Sequence, residues 1–290
     1  MPFLTVFTPV YNRAYIIERL YRSLCQQTSK DFEWVVVDDG SVDDIDKQVT
    51  RFQEEGKITI RFFKQENGGK HRAINKGVSE ARGGMFFIVD SDDYLPEDAV
   101  EWINSKSAEI YGKDEFAGLS GLRIKSDGSK IGGENDFTQI DADAISIRVK
   151  HKVTGDLAEV YKTDVLRMFP FPDIPGEKFC SEGLVWNRIA MQGLKLRYCY
   201  KPLYVCEYLN DGLTAGRVRC RLESPEYSLL LYSEALINPV LNTKERVKYG
   251  ILFWRYAGKS KKTLREKCRL VSPVYWPLII PGVLARKFNR

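Results

Sequence analysis

Histidine is almost missing from this chain of 290 residues: His71 and His151 are the only two. Zinc chemistry on a histidine cluster is thereby nearly excluded, and any general base is expected to be a carboxylate. The six cysteines (Cys25, Cys180, Cys199, Cys206, Cys220, Cys268) include no C-x-x-C pair. Their scatter suits neither a zinc site nor the disulfide framework of a small secreted domain, so reduced cytosolic thiols are expected. No basic segment followed by an apolar one opens the sequence. MPFLTVFTPVYN already reads as a strand, and no secretory signal is expected. Two glycine signatures are absent as well. Without G-x-x-x-x-G-K-[ST] there is no P-loop, and without G-x-G-x-x-G the dinucleotide-binding reading falls away.

What is present suits a large core. Apolar residues make up 43%, charged residues 29% and aromatics 12%, which fits one large α/β domain or two smaller ones and excludes a disordered chain. Charge is unevenly placed. Residues 244–290 carry 13 Lys and Arg against Glu245 and Glu266, a net of +11, while the other 243 residues carry a net of −6. A basic tail on an acidic body points to a polyanionic surface, and the interleaved aromatics (Tyr249, Phe253, Trp254, Tyr256, Tyr275, Trp276) favour a membrane over nucleic acid. The uncharged run LVSPVYWPLIIPGVLA (270–285) is shorter than the ~20 residues a spanning helix needs. It also carries Pro273, Pro277 and Pro281, expected to break a continuous helix. Two readings stand for it: contact with a membrane interface, or a packed helix pair with a solvated basic face.

Along the chain, FLTVFTPV (3–10), EWVVVDDGS (33–41), ITIRFF (58–63) and MFFIV (85–89) read as strands separated by helical segments. Asn12 and Ser181 are expected to cap helices, and Pro96 to start one. Strand–helix alternation over the first 110 residues predicts a parallel sheet with helices on both faces. Ligands of such sheets sit beyond the carboxyl ends of the strands, where Thr8, Asp38, Asp39, Asp90 and Asp92 fall. After about residue 115 the pattern becomes mixed. Strand-like stretches at 116–124, 158–163, 194–200 and 202–208 are interrupted by a polar hairpin (126–135) and a proline-rich loop (169–179). Helices are expected near 224–238 and 243–260. Trp186, at helical spacing with Ile189, is expected to be core, the alternative being a platform for a ligand.

Asp90-Ser91-Asp92-Asp93 offers hard oxygen ligands to Mg²⁺ or Mn²⁺, which would also hold a diphosphate. Capping of the helix near Pro96 accounts for one of these acids but not for Asp90, which lies too far upstream. Asp38-Asp39-Gly40-Ser41 is compatible with a base or sugar contact and equally with a plain Asp-Gly turn. Asn67-Gly68-Gly69-Lys70-His71 has the free amides and the lysine of an anion-facing loop. Glu182, at a helix start beside the proline-rich loop, is either a base or a first-turn acid favoured by the helix dipole.

TPVYNRAYIIERLYRSLCQQT, FEWVVVDDGSVDD, ENGGKHRAINKG, GGMFFIVDSDDYLPEDA and EKFCSEGLVWNRIA together resemble a family 2 glycosyltransferase with the GT-A fold. The resemblance implies an α/β fold: a Rossmann-like, mostly parallel sheet flanked by helices, with a helical basic extension. It divides the chain into a glycosyltransferase domain at 1–220 (nucleotide-sugar half 1–112, acceptor half 113–220) and the extension at 221–290. It implies a nucleotide-sugar donor, most often a UDP-sugar, and a divalent cation, Mn²⁺ or Mg²⁺. Thr8, Pro9 and Tyr11 would line the nucleoside pocket and Asp39, beside Asp38, would contact the base. Lys70 would lie in the donor loop, Asp90 and Ser91 beside ribose or metal, and Asp92 on the metal. Glu182 stands where the family usually has Asp as its base. Relatives often carry a metal-side histidine within the span of YVCEYLNDGLT (204–214), where this chain offers only Glu207 or Tyr208. The Gln-x-x-Arg-Trp signature of processive synthases is missing. Transfer of one sugar, with inversion, to a glycan or lipid-linked acceptor of cell-surface polysaccharide synthesis is therefore expected, in the cytoplasm or at the inner face of the plasma membrane. Two alternatives remain: a sugar nucleotidyltransferase, and an inactive membrane-associated binding module.

Overall fold

The computed structural model describes residues 3–133, 137–207 and 213–287. Four parallel strands come first, β1 (Leu4–Val10), β2 (Phe32–Asp38), β3 (Ile60–Lys64) and β4 (Met85–Ile88), side by side in the order β3-β2-β1-β4. β1, β2 and β4 are buried along their whole length, which is why they read as unbroken apolar runs. Helices α1 (Ile17–Cys25), α2 (Ile45–Glu55), α3 (Lys70–Glu80) and α4 (Ala99–Ser107) connect and follow them.

Alternate strand residues point to opposite faces. Leu4, Val6, Trp34, Val36 and Phe87 pack with α1, α2 and α4, where Tyr21 stacks on Phe52 at 4.0 Å. Phe7, Val35, Val37 and Phe86 pack with Ala73, Ile74 and Val78 of α3. α1 begins at Ile17 without a side-chain cap. Asn12 instead adopts φ 53° and accepts from Val42 N (2.8 Å), while its own amide donates to Ser41 Oγ (2.8 Å). The side chain expected to cap a helix thus joins the loops after β1 and β2.

The second half adds β5 (Phe116–Lys125), β6 (Gln139–Ala142), β7 (Leu157–Lys162) and β8 (Lys195–Cys206). The complete eight-stranded order is β3-β2-β1-β4-β7-β5-β8-β6. β7 lies antiparallel to both β4 and β5, so it joins the halves. The two strand-like stretches at 194–200 and 202–208 are one strand. Where Pro202 lacks an N–H, the register against β5 shifts around Leu122 and the strand continues.

Short helices α5 (Ser146–Val149) and α6 (Thr163–Met168) precede α7 (Gly183–Met191), and α8 (Leu213–Glu223), α9 (Pro225–Leu236) and α10 (Thr243–Ala257) follow β8. Ser181 makes no side-chain cap on α7, and its hydroxyl instead accepts from Arg221 (3.4 Å). Arg188 ties α7 to α9 through a two-pronged pair with Glu234 (2.7 and 2.8 Å). After α11 (Leu264–Arg269), the uncharged run forms a 3₁₀ segment (Pro273–Leu278) and then α12 (Ile279–Lys287), which tolerates Pro281 in its first turn. One side of this run packs on α10, where the Trp254 indole donates to the Tyr275 carbonyl (2.7 Å). Among the described residues no helix is long and apolar enough to cross a membrane.

Candidate active site

The carboxyl ends of β1, β2 and β4 open toward α3 and α7. Behind β2, Asp39 is buried and its carboxylate gathers four N–H groups: Gln65 Nε2 (2.7 Å), Asn67 Nδ2 (3.1 Å), Gly68 N (2.8 Å) and Gly69 N (2.7 Å). Asp39 therefore shapes the loop that leads into α3. Gly69 has φ 97°, and a Cβ there would come within 1.9 Å of the Lys178 carbonyl oxygen. Only glycine lets the loop before α3 touch the segment that carries Glu182. Lys178 Nζ also donates to Asn67 Oδ1 (2.6 Å), and Arg72 donates to Glu177 O (2.8 Å) and Ile174 O (2.9 Å) while pairing with Asp173.

Lys70, the first residue of α3, stands between two carboxylates. Its Nζ lies 2.6 Å from Asp90 Oδ1 and 2.8 Å from Glu182 Oε1. Burial works against its charge, but Asp90 and Glu182 overcome that and hold the ammonium well above its ordinary pKa. Asp90 is likewise opposed by burial and brought below the usual carboxylate range by Lys70 and Arg123. One cation thus links the end of β4 to the start of α7.

The Asp90–Asp93 turn is braced from β8. Tyr204 OH accepts from Asp90 N (2.8 Å), Tyr94 exchanges backbone bonds with Val205 (3.1 and 2.9 Å), and Glu207 N donates to Asp93 Oδ1 (2.8 Å). Asp93 is buried, and burial together with the Asp90 charge pushes it up to about 7. Asp92 is also raised, by burial and then by Asp90. Arg19 donates to the Asp92 carbonyl and pairs with the Glu207 carboxylate. Tyr208 lies outside the described residues.

Residues 5–106 match the family model for glycosyl transferase family 2. A β-1,3-glucosyltransferase of Campylobacter jejuni that acts on GalNAc(5)-diNAcBac-PP-undecaprenol is 25% identical over 223 residues, covering 74% of this chain and 68% of that protein. Glycosyltransferase GlyA of Streptococcus pneumoniae is 37% identical over 226 residues, covering 74% of this chain but only 30% of GlyA. Residues 5–106 of this chain form a glycosyl transferase family 2 segment. The architecture is GT-A: S. aureus TarS 1–349, solved with UDP-GlcNAc, superposes with a TM-score of 0.65 at 21% identity, over 97% of this chain and 79% of that one. A mannosyltransferase of Pyrobaculum calidifontis, solved with GDP-Man and Mn²⁺, gives 0.59 at 20% identity, over 100% and 88%.

Of the residues singled out by sequence, Lys70, Asp90 and Glu182 are in direct contact. Asp92 belongs to the same turn as Asp90, and Ser91 between them is buried. Asp38 Oδ1 accepts from Ser41 N (2.8 Å) and closes the turn after β2. Pro9 is buried at the end of β1, and Tyr11 beyond it is half exposed. The Thr8 side chain is not at the cleft: it is wholly buried, and its hydroxyl accepts from the Trp34 indole (2.9 Å). Trp186 stacks on Tyr161 at 4.2 Å, packed as expected of core. Arg72, Lys178 and Tyr204 lie within the stretches ENGGKHRAINKG, EKFCSEGLVWNRIA and YVCEYLNDGLT but carried no signal of their own, and Arg123 carried none at all. Arg123 and Tyr204 come from β5 and β8 and meet as a cation–π pair at 4.1 Å. Among the described residues no group of three or more His, Cys, Asp or Glu side chains is arranged to hold a metal.

Proposed function

We propose that the chain is an inverting, metal-assisted transferase that moves one sugar from a nucleoside-diphosphate sugar, a UDP-sugar first among them, to a hydroxyl of a glycan or lipid-linked acceptor. The observation that carries this reading is the Lys70 ammonium bonded at once to Asp90 and Glu182. Residues 1–112 would hold the donor, 113–220 the acceptor, and 221–290 form the extension. Pro9 and Tyr11 would border the nucleoside and the loop held by Asp39 the donor side.

The acid pair fits a divalent cation of the kind that binds through one or two carboxylates and completes its shell with substrate phosphates. Burial and then the Asp90 charge raise Asp92, an effect that its own backbone amide, Arg13 and Lys70 offset only in part and that a cation would offset further. Asp90 and Asp92 would be its protein ligands, and when bound it would offset charge on the diphosphate. Lys70 is close enough to Asp90 to turn from Glu182 to an arriving diphosphate, another anion of the same cleft. Glu182 would then accept the proton of the acceptor hydroxyl. That oxygen bonds to the anomeric carbon as the bond from that carbon to the diphosphate oxygen breaks, releasing the nucleoside diphosphate.

The relative named for an undecaprenol-linked substrate supports a lipid-linked acceptor in surface-glycan assembly. With it goes a cytoplasmic placement, peripheral to the inner face of the plasma membrane through 244–290. The test is a screen of UDP-, GDP- and dTDP-sugars for slow hydrolysis with and without Mn²⁺. Release of nucleoside diphosphate from one donor is expected. Release of pyrophosphate from a sugar phosphate and a nucleoside triphosphate would establish the nucleotidyltransferase instead, and response to no nucleotide would favour an inert module.

A further inference from the structure

The C-terminal run has two sides. Tyr275, Leu278 and Ile279 pack inward, and Gly282 brings the backbone against Trp254, where a Cβ would approach that side chain to 2.5 Å. The other side is turned outward. Val274 and Ile280 are 70% and 68% exposed, with Trp276 at 44% and Leu284 at 49%. Ile280 and Leu284, four residues apart on α12, lie on one outward side of that helix, and Val274 and Trp276 are exposed on the 3₁₀ segment that leads into it. Exposed Lys259, Lys261, Arg265 and Arg269 lie just before it in sequence, and no charge interrupts 270–285.

We propose that this face rests on an anionic lipid bilayer. The four apolar side chains would lie at the headgroup–acyl boundary, and the lysines and arginines would meet lipid phosphates. The Trp276 indole N–H already donates to the Cys268 carbonyl (3.2 Å), so the ring enters the interface with its polar atom satisfied. Two copies of the chain meeting through this face would bring like-charged segments together, which opposes self-association. The bilayer supplies the opposite charge. This inference deepens the peripheral placement proposed above. Its test needs neither donor nor acceptor, so its failure would leave the transfer reading intact.

The test is flotation of the full chain with vesicles of phosphatidylcholine alone and of phosphatidylcholine mixed with phosphatidylglycerol. Binding is expected to the mixed vesicles only, with a blue shift of tryptophan emission that Trp276→Phe abolishes. Ile280→Asp with Leu284→Asp, and separately Lys261→Glu with Arg265→Glu, should each lower partitioning at least about tenfold. Because these side chains are exposed, thermal midpoints should stay unchanged, which separates lost docking from lost folding. Equal binding to both vesicle types, no binding to either, or variants that float like the parent would overturn the proposal. So would lipid-free dimerisation that Ile280→Asp abolishes, since the face would then belong to a second copy.

Discussion

The two halves of the sheet reach the same cleft by different means. In the parallel half, acids follow closely on β2 and β4, so position in sequence already sets their position at the rim. From β5 onward the pairing is mixed, and Glu182 arrives on a loop rather than at a strand end. Its place depends on distant contacts: Lys70 on its carboxylate, Gly69 against Lys178, and Arg72 on the carbonyls of Ile174 and Glu177. The proposed donor side is held by local turns, and the segment carrying the proposed base is held by that side. Damage should therefore spread in one direction: a change in the base leaves the donor grip intact, whereas a change in the donor loop disturbs both.

The strongest attempt to separate the halves is Glu182→Gln. Turnover should fall about a thousandfold, within the usual range for a lost general base, while calorimetry still records nucleotide binding. Equal loss of nucleotide binding would mean that the halves cannot be separated. Asp92→Ala addresses the other side. The thermal stabilisation that UDP gains from Mn²⁺ should disappear, leaving only the metal-independent part. A full Mn²⁺ response in this variant would remove Asp92 from the cation site.

Gly69→Ala should cost about 3 kcal/mol of stability in denaturant melts, from overpacking on Lys178 and a strained φ. Gly56→Ala provides the scale. Its φ is 63° with nothing within 4 Å of a Cβ, so about 1 kcal/mol is expected. Similar costs at the two sites would show that the contact between the halves contributes little.

The smallest effect concerns His71, where α3 meets the proline-rich loop. The Tyr227 hydroxyl donates to Pro172 O (2.9 Å) and accepts from Ile174 N (2.9 Å), so His71 Nε2, 2.8 Å away, must donate to it. Nδ1 is left buried without a partner, and burial followed by the Arg72 charge lowers the ring to about 4. The unfolded chain then binds this proton more readily between about 6.5 and 4. The contribution is complete above that window and is lost as pH falls through it. From pH 7 to 4.5 the loss should be on the order of 2 kcal/mol. His71→Gln should flatten that slope in melts across the same range.

Most of the first half was legible because β1, β2 and β4 are buried along their whole length and β2 and β4 run into acids, so composition and order coincide there. Lys70, Asp90 and Glu182 were readable singly, but their contact was not, since α3, β4 and α7 meet only after folding. Thr8 shows the limit of reading a strand end. Its hydroxyl takes the face shared with Trp34, which alternation assigns once the register is known. Arg123 and Tyr204 left no trace because a charge and a phenol in mixed strands look like ordinary sheet residues. Asn12 and Ser181 were expected as caps on local chemistry, and tertiary partners claimed them instead.

β7 has one further consequence. Bonded to β4 along one edge and to β5 along the other, it leaves no hinge in the sheet between the proposed donor and acceptor halves. Under the proposed reading, the gap separating donor from acceptor is a fixed gauge, graduated in strand spacings of about 4.8 Å. Acceptors of different bulk would then be accommodated by the connecting loops, with the gauge unchanged.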